Sequence, residues 1–245
     1  MISPEYYDAE ASRYDDSRGG AARADAAAAA VLGLLPEAAR LVLDIAGGTG
    51  IVGVRLGAPG RTVVSIDRSA GMSAVAATRL PGHVVRGDAT RLPVADGSVD
   101  AVTMVWLLHL LDERQSEAVI AEAARVLSPL GTLLTTVDKA AAHVTTPDDV
   151  GRLLGPAWRA AARTPTDHPA RIADLAGRYG FAVTGRVTFT GAGQGRSPSQ
   201  WARRLADPAV GVDVGAEVLR RLGELPDQDR KRADPEFDLV AFTRL

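Results

Sequence analysis

Between residues 41 and 138 the chain alternates between two hydrophobic patterns. Short, mostly apolar runs at 41–45, 61–67, 83–89, 99–105 and 130–138 read as strands, the first of them as a buried parallel strand. Between them, 51–58, 69–80 and 114–128 carry apolar residues at helical spacing, with Ser69 placed to cap the second. Five strand–helix alternations predict a doubly wound α/β sheet, Rossmann-like in its right-handed crossovers, with helices on both faces. Upstream, the Ala- and Leu-rich run 22–35 predicts a helix that stops before Pro36, while 1–19 is polar and patternless. Downstream the pattern loosens. Residues 147–163 predict a helix broken at Gly155–Pro156, and 168–181 one ended by Gly180. A strand is expected at 181–190, helices at 197–206 and 217–225, and a closing strand over the alternating stretch 237–245. The whole, 1–245, is expected to be one domain with 139–170 as a helical insertion.

Composition narrows the functional classes. A net charge of −2 gives no basic field for nucleic acid. With no Cys there is no disulfide, thiol nucleophile or Cys-based zinc site, and His83, His109, His143 and His168 lack metal-ligand spacing, so no metal is expected. No apolar run approaches the roughly 20 residues of a membrane span. The polar start is unlike a signal peptide, so a cytoplasmic location is expected. Lys139 and Lys231 are the only lysines, and aromatics are just 4%.

The candidate chemistry starts at Asp44-Ile45-Ala46-Gly47-Gly48-Thr49-Gly50. Read from Gly48, the loop is Gly48-x-Gly50-x-x-Gly53 with Asp67 about 20 residues on, the fingerprint of a dinucleotide site. Read from Asp44, it is acid-x-Ala-x-Gly-x-Gly. An acid at that point would repel a pyrophosphate but favour a cation. A purely structural glycine turn is the third reading. Asp88, in Arg86-Gly87-Asp88-Ala89-Thr90, is the third acid to end a strand, after Asp44 and Asp67. Three such carboxylates line the edge where open α/β sheets bind ligands.

These segments resemble the class I S-adenosylmethionine-dependent methyltransferases of the small-molecule, quinone and natural-product type. The loop at 44–50 is similar to the family's first motif, 63–72 to its second, and 86–112 to its Gly-Asp-Ala-x-x-Leu-Pro segment. Residues 125–136 match the Arg-Val-Leu-x-Pro-Gly-Gly stretch, with Leu130 in place of one Gly. Ala46 departs from the family's first Gly, a small change if its φ stays negative. The resemblance covers about residues 5–138. It implies seven strands with the last antiparallel, S-adenosyl-L-methionine as cofactor, and a small-molecule acceptor. Asp44, Ala46, Gly48 and Gly50 would cradle the cofactor, Asp67 would take its ribose, and Asp88 and Ala89 its adenine. Arg68, Met72 and Trp106 would complete that site. Residues 1–20, similar to a Tyr-Asp-x-x-Ala-x-x-Tyr-Asp-x-x-Arg segment, would form a cap, with Tyr14 near the methyl group and Arg18 near the cofactor carboxylate; the alternative is a frayed polar terminus.

Methyl transfer needs a base only where the acceptor must lose a proton. His109, just past the fourth strand, and His143, past the fifth, are the candidates. Their alternatives are a packed helix residue and an exposed loop residue. His168 could be a cap and His83 is an edge residue without a role. Tyr7, Trp106, His109, His143 and Trp158 form the expected acceptor pocket, with core packing the alternative for Trp106. The acceptor atom is expected to be a hydroxyl first, then an amine or carbon, in secondary metabolism, on a monomer or homodimer. Two rival readings stand. One is a non-methylating catalyst, performing a cyclisation or rearrangement at the same cofactor site. The other is an NAD(P)-dependent oxidoreductase, which lacks a Tyr-x-x-x-Lys pair here.

Overall fold

A computed structural model describes residues 4–161, 165–207 and 210–245. The apolar runs form β1 (Leu41–Ile45), β2 (Thr62–Asp67), β3 (Val84–Arg86), β4 (Val99–Met104), β5 (Leu127–Val137), β6 (Phe181–Thr190) and β7 (Glu236–Arg244). They make one sheet in the order β3-β2-β1-β4-β5-β7-β6. Pairing is parallel from β3 to β5, and β7 lies antiparallel between β5 and β6. The chain steps from β1 outward to β2 and β3, then returns to β4 on the other side of β1. That reversal opens a crevice at the carboxyl ends of β1 and β4, the place where doubly wound sheets bind ligands.

Two helical layers cover the sheet. On one face α6 (Glu113–Val126) and α9 (Pro169–Arg178) bury Val119, Ile120, Ala123, Ile172 and Leu175 against Leu43, Val102 and Leu133. On the other, α3 (Gly20–Leu34) presents Ala24, Ala27, Ala28 and Val31 to Val42, Val63 and Leu134, joined by Leu56 of α4 (Gly53–Leu56). Alanine suits α3 because the helix must lie close to the strands. α5 (Ala70–Arg79) is capped as its sequence suggests, the Ser69 hydroxyl accepting from the Met72 amide. A third cluster joins α8 (Asp149–Ala161), α10 (Pro198–Leu205) and α11 (Ala216–Glu224) through Val150, Leu154, Trp158, Trp201 and Leu222.

Several expectations need adjusting. The polar start forms two short helices, α1 (Pro4–Glu10) and α2 (Tyr14–Ser17). The helix at 51–58 shrinks to α4. The helix at 147–163 runs unbroken through Pro156 over Asp149–Ala161, because Val150, Leu154 and Trp158 hold its apolar face down on both sides of the proline; 162–164 fall outside the described residues. The fourth strand leads into a 3-10 turn, Leu108–Leu110, then the short helix α7 (Lys139–Ala142) follows β5. Among the described residues, no helix is long and apolar enough to cross a membrane.

Candidate functional site

A cavity of about 570 Å³ opens at the carboxyl ends of β1, β2 and β4. Of the residues singled out in the sequence, Tyr7, Tyr14, Asp44, Ala46, Gly48, Asp67, Arg68, Met72, Asp88, Ala89 and Trp106 line it. Gly50, Arg18, His109, His143 and Trp158 do not.

The floor is built by β1. Asp44 is fully buried, and its Oδ1 accepts from Thr103 Oγ1 of β4 at 2.7 Å. Its Oδ2 is buried with no partner, beside the equally unpartnered Ser65 Oγ. Burial pushes the Asp44 carboxyl up to about 6, so at neutral pH it stays mainly ionised, with half of its hydrogen-bonding capacity unused. Above it the loop must fold tightly. A Cβ on Gly47 would stand 2.2 Å from Ser65 Oγ and 2.7 Å from Asp44 Oδ2, so only glycine fits there. Gly48 takes φ +58 and donates its amide to Asp67 Oδ2 at 3.0 Å. Asp67 Oδ1 accepts from the Ser69 amide at 2.8 Å, which fixes the carboxylate at the end of β2. Asp88, two residues past β3, is exposed at the rim with Oδ1 held by the Thr90 amide and hydroxyl, both at 2.8 Å.

Ala46 does not keep the negative φ expected of it: it adopts φ +55. A left-handed alanine costs about 1–2 kcal/mol, so this departure from glycine is a real strain at the cavity. Trp106 is also left-handed, at φ +59, its amide held by Thr136 Oγ1 at 2.7 Å. That geometry turns the indole back toward α3, where the Arg23 guanidinium lies 3.4 Å from the ring centroid. Arg23 carried no signal in the sequence, because it sits in an Ala-rich helix as one of many arginines; it is buried and lines the cavity.

The N-terminal helices close one side. Asp8 of α1 accepts from Ser69 Oγ at 2.5 Å and the Gly71 amide at 2.9 Å, tying α1 to the start of α5. Asp15 of α2 accepts from Thr49 Oγ1 at 2.6 Å and pairs with Arg79 at 2.7 Å. Tyr7 and Tyr14 meet edge to face, and burial pushes the Tyr7 phenol up to about 12.

The histidines lie outside the cavity lining, in a neighbouring polar cluster. His109 Nε2 is 2.9 Å from Lys139 Nζ, and burial with the adjacent Lys139 charge holds the imidazole neutral. His143 Nδ1 is 3.0 Å from an Arg196 guanidinium nitrogen, and burial pushes its pKa down to about 2. His168 occupies the N-cap position of α9 without a side-chain capping bond, and His83 is exposed. Trp158 packs edge to face on Trp201 in the third cluster. Among the described residues, no group of His, Asp or Glu could hold a metal ion.

This arrangement fits a ligand that is cationic at one end. Asp15, Asp44, Asp67, Asp88 and Asp112 all reach the cavity. The helix after the loop has only four residues, Gly53–Leu56, so it offers little dipole to a pyrophosphate. The unpartnered Asp44 oxygen suits an ammonium or sulfonium, and Asp67 keeps free lone pairs for a diol.

Comparison with known proteins agrees. A methyltransferase domain family matches residues 43–135. An uncharacterized methyltransferase of Mycobacterium bovis is 43% identical over 101 residues, which are 41% of this chain and 40% of that protein. A demethylmenaquinone methyltransferase of Beutenbergia cavernae is 46% identical over 94 residues, 38% of either chain. The chain thus matches about two fifths of the length of these relatives. Among solved structures, the [4+2]-cyclase SpnF superposes with a TM-score of 0.59 at 19% identity, covering 98% of this chain and 95% of that one. The magnesium protoporphyrin IX methyltransferase of Synechocystis, with bound S-adenosylhomocysteine, gives 0.55 at 17%, covering 95% and 86%.

Proposed function

We propose that the chain is a class I S-adenosylmethionine-dependent methyltransferase that transfers a methyl group from S-adenosyl-L-methionine to a small-molecule acceptor, a reading supported by the methyltransferase match over 43–135 and the methyltransferase relatives. The observation that carries the reading is the row of strand-end carboxylates, with the buried, half-unpartnered Asp44 beneath the loop and Asp67 fixed by two amides. The cofactor supplies an electrophilic methyl on a sulfonium. Asp44 would balance its positive end, Asp67 would accept from the ribose hydroxyls, and Asp88 with the Ala89 amide would take the adenine. Ala46, Gly48 and Gly50 shape the loop, with Arg68, Met72 and Trp106 around it. Tyr7, Tyr14 and the segment 1–20 act as a cap that excludes water.

His109 and His143 belong to the acceptor side in this reading, with 139–170 as the insertion that covers it. Each imidazole is held neutral with one ring nitrogen against a cation, Lys139 or Arg196, so it would take a proton from the acceptor only once that contact opens. A hydroxyl acceptor is our first choice, in secondary metabolism, ahead of an amine or a carbon. The quinone-carbon acceptor implied by the demethylmenaquinone relative's name weighs less, because the family match stops at 135, before the acceptor side begins. Action in the cytoplasm, as a monomer or homodimer, completes the proposal.

Thermal shift measurements with S-adenosylhomocysteine and with NAD test the cofactor. At 100 times its Kd a ligand adds about 2.7 kcal/mol, roughly 5–10 °C for a domain of this size. Stabilisation by NAD alone sinks the reading. Asp67→Ala is expected to abolish the S-adenosylhomocysteine shift, while His109→Ala keeps it. A product 14 Da heavier than the acceptor then marks methyl transfer, and an isomer of unchanged mass marks a cyclisation or rearrangement instead.

A further inference from the structure

Arg23 lines the cavity, while Arg18, Lys139 and Arg196 lie outside its lining, Arg196 at a small separate pocket. Arg18 follows α2, Arg23 lies in α3, Lys139 begins α7 and Arg196 precedes α10. Four separate elements thus bring four positive side chains within electrostatic reach of one another. No ion pair among the described residues involves any of them. Arg18 Nε and Arg23 Nε are buried with no hydrogen-bond acceptor.

Two carboxylates lie near the four cations. Asp15 is bonded to Thr49 and Arg79. Asp167 attracts the Lys139 charge, with its Oδ2 accepting from the Lys139 backbone amide and its Oδ1 buried without a partner, so one carboxylate stands against four cations. The groups that do touch the cluster are neutral: His109 against Lys139, His143 against Arg196, the Trp106 ring and the Tyr14 phenol against Arg23, and the Tyr14 ring beside Arg18. Burial, and then repulsion from neighbouring cations, pushes Lys139 down to about 7 and Arg23 and Arg196 each to about 10; for Arg196 the foremost of those cations is Arg204. Buried cations without counterions are costly, and a fold keeps them where a ligand supplies the missing anion.

Resting on the methyltransferase reading, we infer that the acceptor carries an oxyanion, a carboxylate or a phosphate, held by Arg18, Arg23, Lys139 and Arg196. Arg23 reaches both the cluster and the cavity, so it joins the anion site to the space the cofactor occupies. Planar guanidiniums from two or three directions match either oxyanion in paired hydrogen bonds. The cavity's acids would take the cationic cofactor, and Arg23 would lead from that space to the cations that take the acceptor's anionic end. The rival occupant is the cofactor's own carboxylate, and the experiment separates the two.

Calorimetry on the full chain saturated with S-adenosylhomocysteine would compare 4-hydroxybenzoate with 4-hydroxybenzamide, and phenyl phosphate with phenol. At least one anion is expected to bind tenfold or more tightly than its neutral partner; the first pair reports a carboxylate site and the second a phosphate site. Arg196→Gln and Lys139→Met are expected to close that gap and leave the S-adenosylhomocysteine Kd within twofold, while Arg196→Lys restores part of it. The ligand-free Arg196→Gln chain should melt at or above the wild-type temperature, because it removes an unneutralised charge. If neither anion outbinds its neutral partner on the loaded protein, the inference fails. It fails equally if the variants weaken S-adenosylhomocysteine, which would give the cluster to the cofactor, or if Arg196→Gln only lowers the melting temperature. Absence of S-adenosylhomocysteine binding in the wild type would overturn the methyltransferase reading itself.

Discussion

At Asp44 and Ala46 stability and function pull in opposite directions. Asp44 has a folded pKa near 6, above the 3.8 of an ordinary Asp. Between those values the native state holds more protons than the unfolded chain, so its stability contribution falls as pH rises from about 4 to about 6 and stays lost above. Asp44→Asn is therefore expected to raise the melting temperature at pH 7 by an amount worth roughly 1–3 kcal/mol. At pH 4 it should change little, while S-adenosylhomocysteine affinity drops at both. A melting series over pH with and without ligand checks it; an equal effect at both pH values would mean that Asp44 is not titrating. Ala46→Gly should relieve the left-handed alanine, giving about 0.5–1 kcal/mol after the extra freedom of glycine in the unfolded chain is counted. Denaturant midpoints read that gain directly, and a loss would show that the Cβ packs productively.

The elements were legible in proportion to their hydrophobic pattern. All seven strands lie within a few residues of where the sequence predicts them, the inner ones because buried strands have little choice of composition and the largely exposed outer strands β3 and β6 through their β-branched residues. The strand-end acids were legible too, because each stands at or just past the carboxyl end of an apolar run. α1 and α2 were not, since they carry no apolar stripe and are held by side-chain bonds to other elements. Nor was the cationic cluster, whose members come from residues 18, 23, 139 and 196 and meet only through topology. Asp8 joins α1 to α5 through the Ser69 hydroxyl and the Gly71 amide. Asp8→Ala should release α1 without unfolding the sheet, since a lost capping-type carboxylate costs about 1 kcal/mol. Faster S-adenosylhomocysteine dissociation in stopped flow, with the melting temperature of the ligand-free chain falling by no more than about 2–4 °C, is the expected signature. Unchanged dissociation would mean that α1 does not gate the cofactor.

Across the whole molecule, the division into three hydrophobic clusters sets which parts can move. Two clusters share the sheet and rise or fall with it. The third, around Trp158 and Trp201, packs α8, α10 and α11 on one another away from the strands, with Arg232 clamping Asp149 at 2.7 Å. Such a unit rests on fewer buried residues, so it should open at a lower free energy than the sheet. It also carries Arg196 at its edge, through the stack of that guanidinium on Trp201 at 5.1 Å, so opening it would dismantle one side of the anion site. Trp158→Ala removes a large buried ring, a change of about 3–5 kcal/mol, more than a unit of this size is expected to hold. Hydrogen exchange should then show α8, α10 and α11 losing protection while β1, β4 and β5 keep theirs, and S-adenosylhomocysteine should still bind. Uniform loss across the sheet would instead make the third cluster part of one cooperative core, and the acceptor side would have to admit its ligand without that opening.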